Sequence, residues 1–330
     1  MSGVLGVAPY EEKLPTYRAT IGSLIGAGDD EIALVRNTGD GATILAQGLD
    51  LEPGDEIVIG RNEFGSNAYP WLALEHRGVH VRFIDTPRER VTPAVLARVI
   101  TPRTKVVAVS WVTFDDGYRH DLAALAEVAH ARGAWFFVDA IQGLGAFPLD
   151  VRASNIDALY AGGAKWLMAL QGVGFLYLAR EHHDRIATRL ASWRSVANMW
   201  NFLDYDQPWT PSAARYEAGT PNIIGACALA TSIGVLRQAG IGEIGAHVLA
   251  LTDRLVEGLE ERGYTIASIR TPAERSGIVL FAKPETDSLE IGRRLTGAGI
   301  VTTARTNGIR ISPHGYNTLE EIEALLAMLS

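Results

Sequence analysis

Short apolar runs alternate with longer segments of helical spacing along the first half of the chain. Residues 32–36, 56–59, 79–84, 106–112 and 135–139 are strand-like, and residues 41–50, 66–77, 92–100 and 121–132 between them are helix-like. Ile156-Asp157-Ala158-Leu159-Tyr160-Ala161 reads as the next strand, and residues 172–178 as another. This order predicts a parallel sheet covered by helices on both faces. Residues 192–222 are rich in Trp, Pro and Asn and predict an irregular connection. Helices are expected over residues 223–239 and 242–262. The last third then reads βαββα, over 277–282, 287–298, 300–305, 308–312 and 318–329. The expected organisation is a large α/β domain over residues 1–240 and a small α+β domain over 241–330.

Two charged groups stand out against this pattern. Trp135-Phe136-Phe137-Val138-Asp139 is a buried-strand pattern ending in a carboxylate. In open parallel sheets, ligands collect beyond the carboxyl ends of strands. Lys165 follows the next strand, in Ala161-Gly162-Gly163-Ala164-Lys165-Trp166-Leu167-Met168, with no other charge. The chain has four lysines, and Lys13, Lys105 and Lys283 stand near charged, proline or turn residues. An amine in apolar surroundings has a lowered pKa and attacks carbonyls. A carboxylate on the same side suits pyridoxal phosphate, whose pyridine nitrogen needs an acid. Each residue alone has a plainer reading, Asp139 as a helix N-cap and Lys165 as a lysine with its stem on apolar surface.

Composition narrows the class. A net charge of −8 without a basic run argues against a nucleic-acid binder. No apolar stretch approaches a membrane span, and Met1-Ser2-Gly3-Val4 does not open a signal sequence, so a cytoplasmic location is expected. Cys227 is the only cysteine, which excludes an internal disulfide or a cysteine-rich zinc site. Asn37-Thr38-Gly39-Asp40-Gly41-Ala42-Thr43 lies between a strand and a helix, where backbone N–H groups can meet a phosphate. The alternative there is an ordinary turn with Asp40 as N-cap. Neither a dinucleotide fingerprint nor a P-loop signature is present.

Several motifs, in order, carry a family resemblance. They are Phe137-Val138-Asp139-Ala140-Ile141-Gln142-Gly143, Pro148-Leu149-Asp150-Val151, Gly163-Ala164-Lys165-Trp166-Leu167 and Gly172-Val173-Gly174-Phe175-Leu176-Tyr177. Arg215-Tyr216-Glu217-Ala218-Gly219-Thr220-Pro221-Asn222 and Arg310-Ile311-Ser312-Pro313-His314-Gly315-Tyr316-Asn317 continue the set. Together they resemble the class V aminotransferases, the branch of fold-type I pyridoxal-phosphate enzymes that holds cysteine desulfurases, isopenicillin N epimerases and kynureninases. The resemblance implies a large doubly wound, mostly parallel sheet domain and a small C-terminal α+β domain. It implies pyridoxal 5'-phosphate as cofactor and a homodimer with shared sites.

The same resemblance implies roles. Lys165 resembles the lysine that holds the cofactor, Asp139 the pyridinium partner and Gln142 the residue bonding the ring oxygen. Thr38 resembles a phosphate ligand, with Gly39 and Asp40 in the same loop. Thr220 resembles the threonine that reaches the partner subunit's cofactor, and Arg310 the arginine that holds the substrate carboxylate as a bidentate fork. Trp111 stands where this branch stacks a ring on the cofactor, commonly a histidine. Tryptophan transfers no proton, so acid–base work at the α-carbon falls to Lys165. Trp111 as a core aromatic is the other reading.

Departures from the family pattern qualify this picture. Gly162 and Ala164 replace the usual serine and histidine before the lysine, removing two phosphate-side donors. The cysteine loop of the desulfurases is missing, since Arg305-Thr306-Asn307-Gly308 runs directly into Ile309-Arg310. Cys227 reads as a packed helix residue, and the short segment before the first strand implies a more open entrance. The expected activity is conversion of an α-amino acid through an external aldimine, by aminotransferase or carbon–sulfur β-lyase chemistry. Epimerisation and decarboxylation are alternatives within the family, and a non-catalytic protein with a pyridoxal-phosphate fold is an alternative outside it.

Overall fold

The computed structural model describes residues 8–84 and 90–329. Two helices, α1 (Ala8–Glu11) and α2 (Leu14–Gly22), lead into β1 (Ile32–Val35). Then come α3 (Thr38–Gly48), β2 (Glu56–Gly60), the single turn α4 (Tyr69–Leu72), β3 (His80–Ile84), α5 (Pro93–Val99) and β4 (Thr104–Ser110). They are followed by α6 (Leu122–His130), β5 (Trp135–Asp139), β6 (Ala158–Gly162) and β7 (Gly174–Leu178). Two long helices, α7 (Ile223–Ala239) and α8 (Ile241–Glu261), join this part to the last third. That third holds β8 (Thr265–Ile266), β9 (Val279–Ala282), α9 (Ser288–Gly297), β10 (Thr303–Arg305), β11 (Gly308–Ile311) and α10 (Leu319–Ala327).

The large sheet has the order β1-β7-β6-β5-β4-β2-β3. Strands β6, β5, β4, β2 and β3 are parallel, and β7 runs antiparallel to both β6 and β1. Every residue of β6 and β7 is buried, as expected for strands covered on both faces. Side-chain caps fix the helix starts: the Asn37 oxygen accepts the Asp40 N–H at 3.0 Å in α3, and the Asp121 oxygen accepts the Ala124 N–H at 3.1 Å in α6. The small sheet has the order β10-β11-β9-β8, wholly antiparallel. Helix α8 serves both cores: Ile244 and Val248 join the large one, while Leu251, Leu255 and Leu259 join the small one.

Three expectations need correction. Residues 66–77 form no single helix; the segment breaks into the turn α4 flanked by short 3₁₀ turns, with Pro70 in the first turn of α4. Proline lacks the N–H that a continuous helix would use there. Helices α1 and α2 precede β1, where no element was read. Strand β8 spans two residues, too few for a period to register. Among the described residues, no single helix is long and apolar enough to cross a membrane; α7 and α8 qualify only together, across a 76° bend.

Candidate active site

The carboxyl ends of β4, β5 and β6 lie side by side, with Ser110 paired to Asp139 and Asp139 to Tyr160 in the sheet register. Beyond them lies a cavity of about 350 Å³. Its walls include Thr38 from the start of α3, Asp139 and Ile141 after β5, and Lys165 from the β6–β7 connection. Phe64, Ser66, Gln171 and the Arg36-Asn37 segment also line it. Alternation alone could not bring residues 38, 66, 139 and 165 to one place; the sheet order does.

Asp139 is 2 % exposed and its Oδ1 accepts the Ile141 N–H at 3.0 Å. Burial pushes its pKa up to about 7; the Ile141 N–H opposes this, and the neighbouring Glu63 charge adds to it. Lys165 reaches solvent through the cavity mouth, yet protein surrounds its ammonium closely enough to act as burial. That desolvation lowers its pKa; Asp139 opposes the shift and Arg310 reinforces it. The Lys165 Nζ stands 5.4 Å from the centre of the Phe64 ring. Among the described residues, no base forms an ion pair with Asp139, so the acid and the amine face the same cavity unpaired.

The helix end fits an anion. Thr38 and Gly39 open α3, where N–H groups lack intrahelical partners. The Thr38 hydroxyl accepts the Gly162 N–H at 3.0 Å, which fixes it in place and leaves its own proton to donate. Asp40 departs from expectation. Arg36 donates to both its oxygens, at 2.5 and 2.8 Å, and its backbone N–H is taken by Asn37. Its negative side chain, already paired, is no phosphate ligand, and Asn37 rather than Asp40 is the N-cap.

The Gln142 Oε1 accepts the Trp166 indole N–H at 3.1 Å. An indole N–H only donates, so the amide oxygen must face it and the amide N–H₂ is left to donate elsewhere. Trp111, like Gln142 and Arg310, is not among the residues that line the cavity itself. It is 5 % exposed, edge-on to Phe147 at 6.4 Å, and lies on Gly143, where a Cβ would approach the indole to 2.3 Å. The glycine leaves room for the ring to turn into the core, so the aromatic beside the lysine is Phe64. The Arg310 guanidinium donates to the Phe114 carbonyl and, at 3.2 Å, to the Thr303 hydroxyl, while its buried Nε has no partner among the described residues. Thr220 is exposed and lines a separate cavity of about 610 Å³ beside Arg36 and Asp40.

Residues 8–325 match the family described as Aminotransferase class-V. The chain belongs to that family. A probable cysteine desulfurase of Pyrococcus abyssi is 31% identical over 97% of this chain and 82% of its own length. An uncharacterized aminotransferase of Bacillus subtilis, YcbU, is 29% identical over 94% of this chain and 81% of its own. The apo structure of a cysteine desulfurase from Thermococcus onnurineus superposes with a TM-score of 0.90 at 28% identity, covering 98% of this chain and 84% of that one. A structure of the cystine C–S lyase C-DES has the same fold, with a TM-score of 0.92 at 23% identity.

Class V aminotransferases use pyridoxal phosphate, and this chain is an enzyme of that kind, a transferase or lyase. The residues present fit the cofactor. A desolvated carboxyl without a basic partner, an amine of lowered pKa and a helix N-terminus surround one cavity of suitable size. Lys165 would hold the carbonyl carbon, Asp139 the pyridine nitrogen, Gln142 the ring oxygen, and Thr38 with Gly39 the phosphate.

The motifs did not reveal several neighbours. Ser66 Oγ lies 3.7 Å from where a Gly39 Cβ would stand, so a hydroxyl faces the helix end that Gly162 and Ala164 do not serve. Below Asp139, the Glu63 carboxylate accepts from Ser110 N at 2.8 Å, Ser110 Oγ at 2.5 Å and Asn67 Nδ2 at 2.8 Å. Tyr160 donates to the Asn67 oxygen at 2.5 Å. Burial holds Glu63 above the usual carboxylate range. Glu63 lies 76 residues from Asp139 in the chain, so no local pattern links them.

Arg310→Lys should weaken amino-acid binding and leave cofactor binding intact, because an ammonium cannot reproduce the planar fork. The expected cost is on the order of 1.5–3 kcal/mol, or roughly 10- to 150-fold in affinity. Spectral titration with amino acids measures it, and unchanged affinity would remove Arg310 from the substrate site.

Proposed function

We propose that the protein transforms an α-amino acid at its α-carbon, by amino transfer or by β-elimination at a carbon–sulfur bond, without an enzyme-borne persulfide. The observation that carries this reading is that Lys165 and Asp139 line one cavity, each with its pKa moved toward neutrality. The cofactor, when bound, supplies an electron sink for the pair left at the α-carbon. Arg310 holds the substrate carboxylate and so presents the α-carbon to Lys165. The Lys165 amine, displaced by substrate, takes the α-proton at Nζ, and its lowered pKa makes the free base more accessible than in a solvated lysine. Asp139 keeps the pyridine nitrogen protonated. Gln142 donates from its amide nitrogen to the ring oxygen.

The second half of the proposal rests on a turn. Strands β10 and β11 pair Arg305 with Gly308, so only Thr306 and Asn307 connect them. That hairpin holds no thiol. Cys227, the sole cysteine, is half-buried in α7, with the Tyr17 hydroxyl as a neighbour. A sulfur carrier must be exposed and mobile. Cys227→Ala should therefore keep turnover within roughly twofold, the usual range for a substitution away from the chemistry. A persulfide on Cys227, or abolished turnover with fold and cofactor intact, would return the protein to the desulfurases.

The deciding experiment incubates the holoenzyme with sulfur-substituted alanines and with amino-acid and keto-acid pairs, and identifies products by mass spectrometry. A keto acid with a released thiol, or a new amino acid, supports the reading. Stereochemical inversion alone or release of carbon dioxide would move it to an epimerase or decarboxylase.

The same reading includes a cytoplasmic homodimer with shared sites. Thr220 is exposed and does not line this chain's own cofactor cavity, which suits a residue that acts on the partner's. Trp200, Phe202, Leu203 and Tyr205 are also exposed, an apolar patch of the kind that marks an interface. A Lys165→Ala subunit mixed with a Thr220→Ala subunit should regain one intact site per dimer. A fully active monomer in sedimentation would refute this arrangement.

A further inference from the structure

The loop after β11 meets the segment that carries Lys165 through a stack of three rings. Trp166 and His314 lie with centroids 5.2 Å apart at 28°, and His314 and Tyr316 lie 4.9 Å apart at 15°. His314 is 7 % exposed, while the outer Tyr316 is 70 % exposed. Both His314 ring nitrogens are engaged. The Gly315 N–H donates to Nδ1 at 2.8 Å, and Nε2 lies 3.0 Å from the Trp166 carbonyl oxygen. A backbone N–H only donates and a carbonyl only accepts, so the ring is the neutral tautomer with its proton on Nε2. Burial lowers its pKa and favours that neutral form.

Trp166 is held from several sides. Its carbonyl receives His314, and its indole N–H donates to Gln142. At Gly145 (φ +94) a Cβ would stand 2.2 Å from the Trp166 oxygen, so only glycine admits this approach. The other end of the loop is equally fixed. Asn317 Oδ1 accepts the His314 N–H at 2.8 Å, Asn317 donates to Glu321 at 2.9 Å, and Glu321 closes the capping box of α10 with Thr318. Arg310 lies on β11, four residues before His314. One ring therefore joins the strand bearing the carboxylate anchor to the residue after the cofactor lysine.

We propose that His314 is a positioning residue: its neutral ring, stacked between Trp166 and Tyr316, locks the small domain to the Trp166 carbonyl, and so sets the place of Arg310 relative to Lys165 and the facing of the Gln142 amide. The proposal rests on the assignment of Lys165, Gln142 and Arg310 above. It adds a residue that touches neither substrate nor cofactor. Its effect is on geometry, and a small misplacement at a distance is enough to weaken a bidentate contact.

The test uses two stable probes bound to the resolved cofactor-free protein by calorimetry, pyridoxamine 5'-phosphate and N-(5'-phosphopyridoxyl)glycine. The second adds a carboxymethyl group whose carboxylate Arg310 would hold, so the change in the ratio of the two affinities between wild type and variant reports that contact. In His314→Phe, which keeps a stacked ring but loses both nitrogen bonds, the advantage of the glycine conjugate should fall about tenfold. In His314→Gln, whose amide nitrogen reaches where Nε2 stood, it should stay within about threefold of wild type. The visible circular dichroism of the bound cofactor should change in His314→Phe and be restored in His314→Gln. An undiminished ratio and an unchanged spectrum in His314→Phe would overturn the proposal, as would equal impairment of both variants. Wild-type protein that binds both probes equally would refute the Arg310 assignment itself, and wild-type protein that binds neither would refute the cofactor site. Should His314→Phe fail to fold, Trp166→Phe removes the link to Gln142 and should shift the same spectrum; an unchanged spectrum there overturns the proposal too.

Discussion

Lys165→Ala should bind the cofactor without a covalent link and turn over at least 10²- to 10⁴-fold more slowly, the usual worth of a positioned general base. Two functions leave with one side chain. The amine proposed to hold the carbonyl cofactor is gone, and so is the base proposed at the α-carbon. Its setting is what fits this lysine, rather than the others, for the proposed role. Lys165 is desolvated within the cavity and pushed below the usual lysine range, with the Arg310 charge reinforcing the shift. Lys105 instead stands half-exposed 3.9 Å from Asp55. Borohydride reduction followed by peptide mapping checks the assignment directly. The pyridoxyl group should appear on Lys165 in the wild type and nowhere in the variant. Its appearance on Lys105 or Lys283, or undiminished turnover by the variant, would overturn the site.

Asp139→Asn should split stability from function. In the cofactor-free protein, burial raises the Asp139 pKa to about 7, above the value of a solvated aspartate. The folded state therefore binds a proton more tightly than the unfolded chain does. That contribution to stability is fully present below about pH 4 and is lost as pH rises through about 7. Asparagine carries no charge to desolvate at any of these pH values. Above pH 7 the cofactor-free variant should resist urea better than the wild type, by on the order of 2–4 kcal/mol, and the difference should close below about pH 4. Function should move the other way. An amide cannot keep the pyridine nitrogen protonated, so turnover should fall by roughly 10² or more despite the sturdier fold. Urea midpoints at pH 4 and pH 8, with turnover of the reloaded protein, check both halves. Equal midpoints at pH 8 would mean that Asp139 is solvated or already paired.

The contrast between those two residues and their neighbours shows where sequence reading stops. Asp139 and Lys165 were legible because each ends or follows a run whose apolar period is local. The period places the strand, and the strand places its end at the ligand side of a parallel sheet. The alternation of strands and helices, the irregular stretch 192–222 and both long helices were legible for the same reason. Family motifs added Arg310, Gln142 and Thr38, which no period would single out.

Tertiary structure decided what each of these side chains faces. Asp40 is claimed by Arg36, four residues away, and Trp111 lies over Gly143 and edge-on to Phe147, neighbours that neither position in the sequence announced. Glu63 raises the pKa of Asp139 from a different strand end, and Ser66 reaches the start of α3 from another segment. His314 meets the carbonyl of Trp166 across 148 residues of chain. Periodicity reports which face of an element is apolar, and it carries no record of which distant element will cover that face. Desolvation, hydrogen-bond partners and the pKa values they set arise only when those faces meet. The chain thus declared its fold and the chemistry of its cofactor in local patterns, while the tuning of that chemistry was fixed only by the packing of segments far apart in sequence.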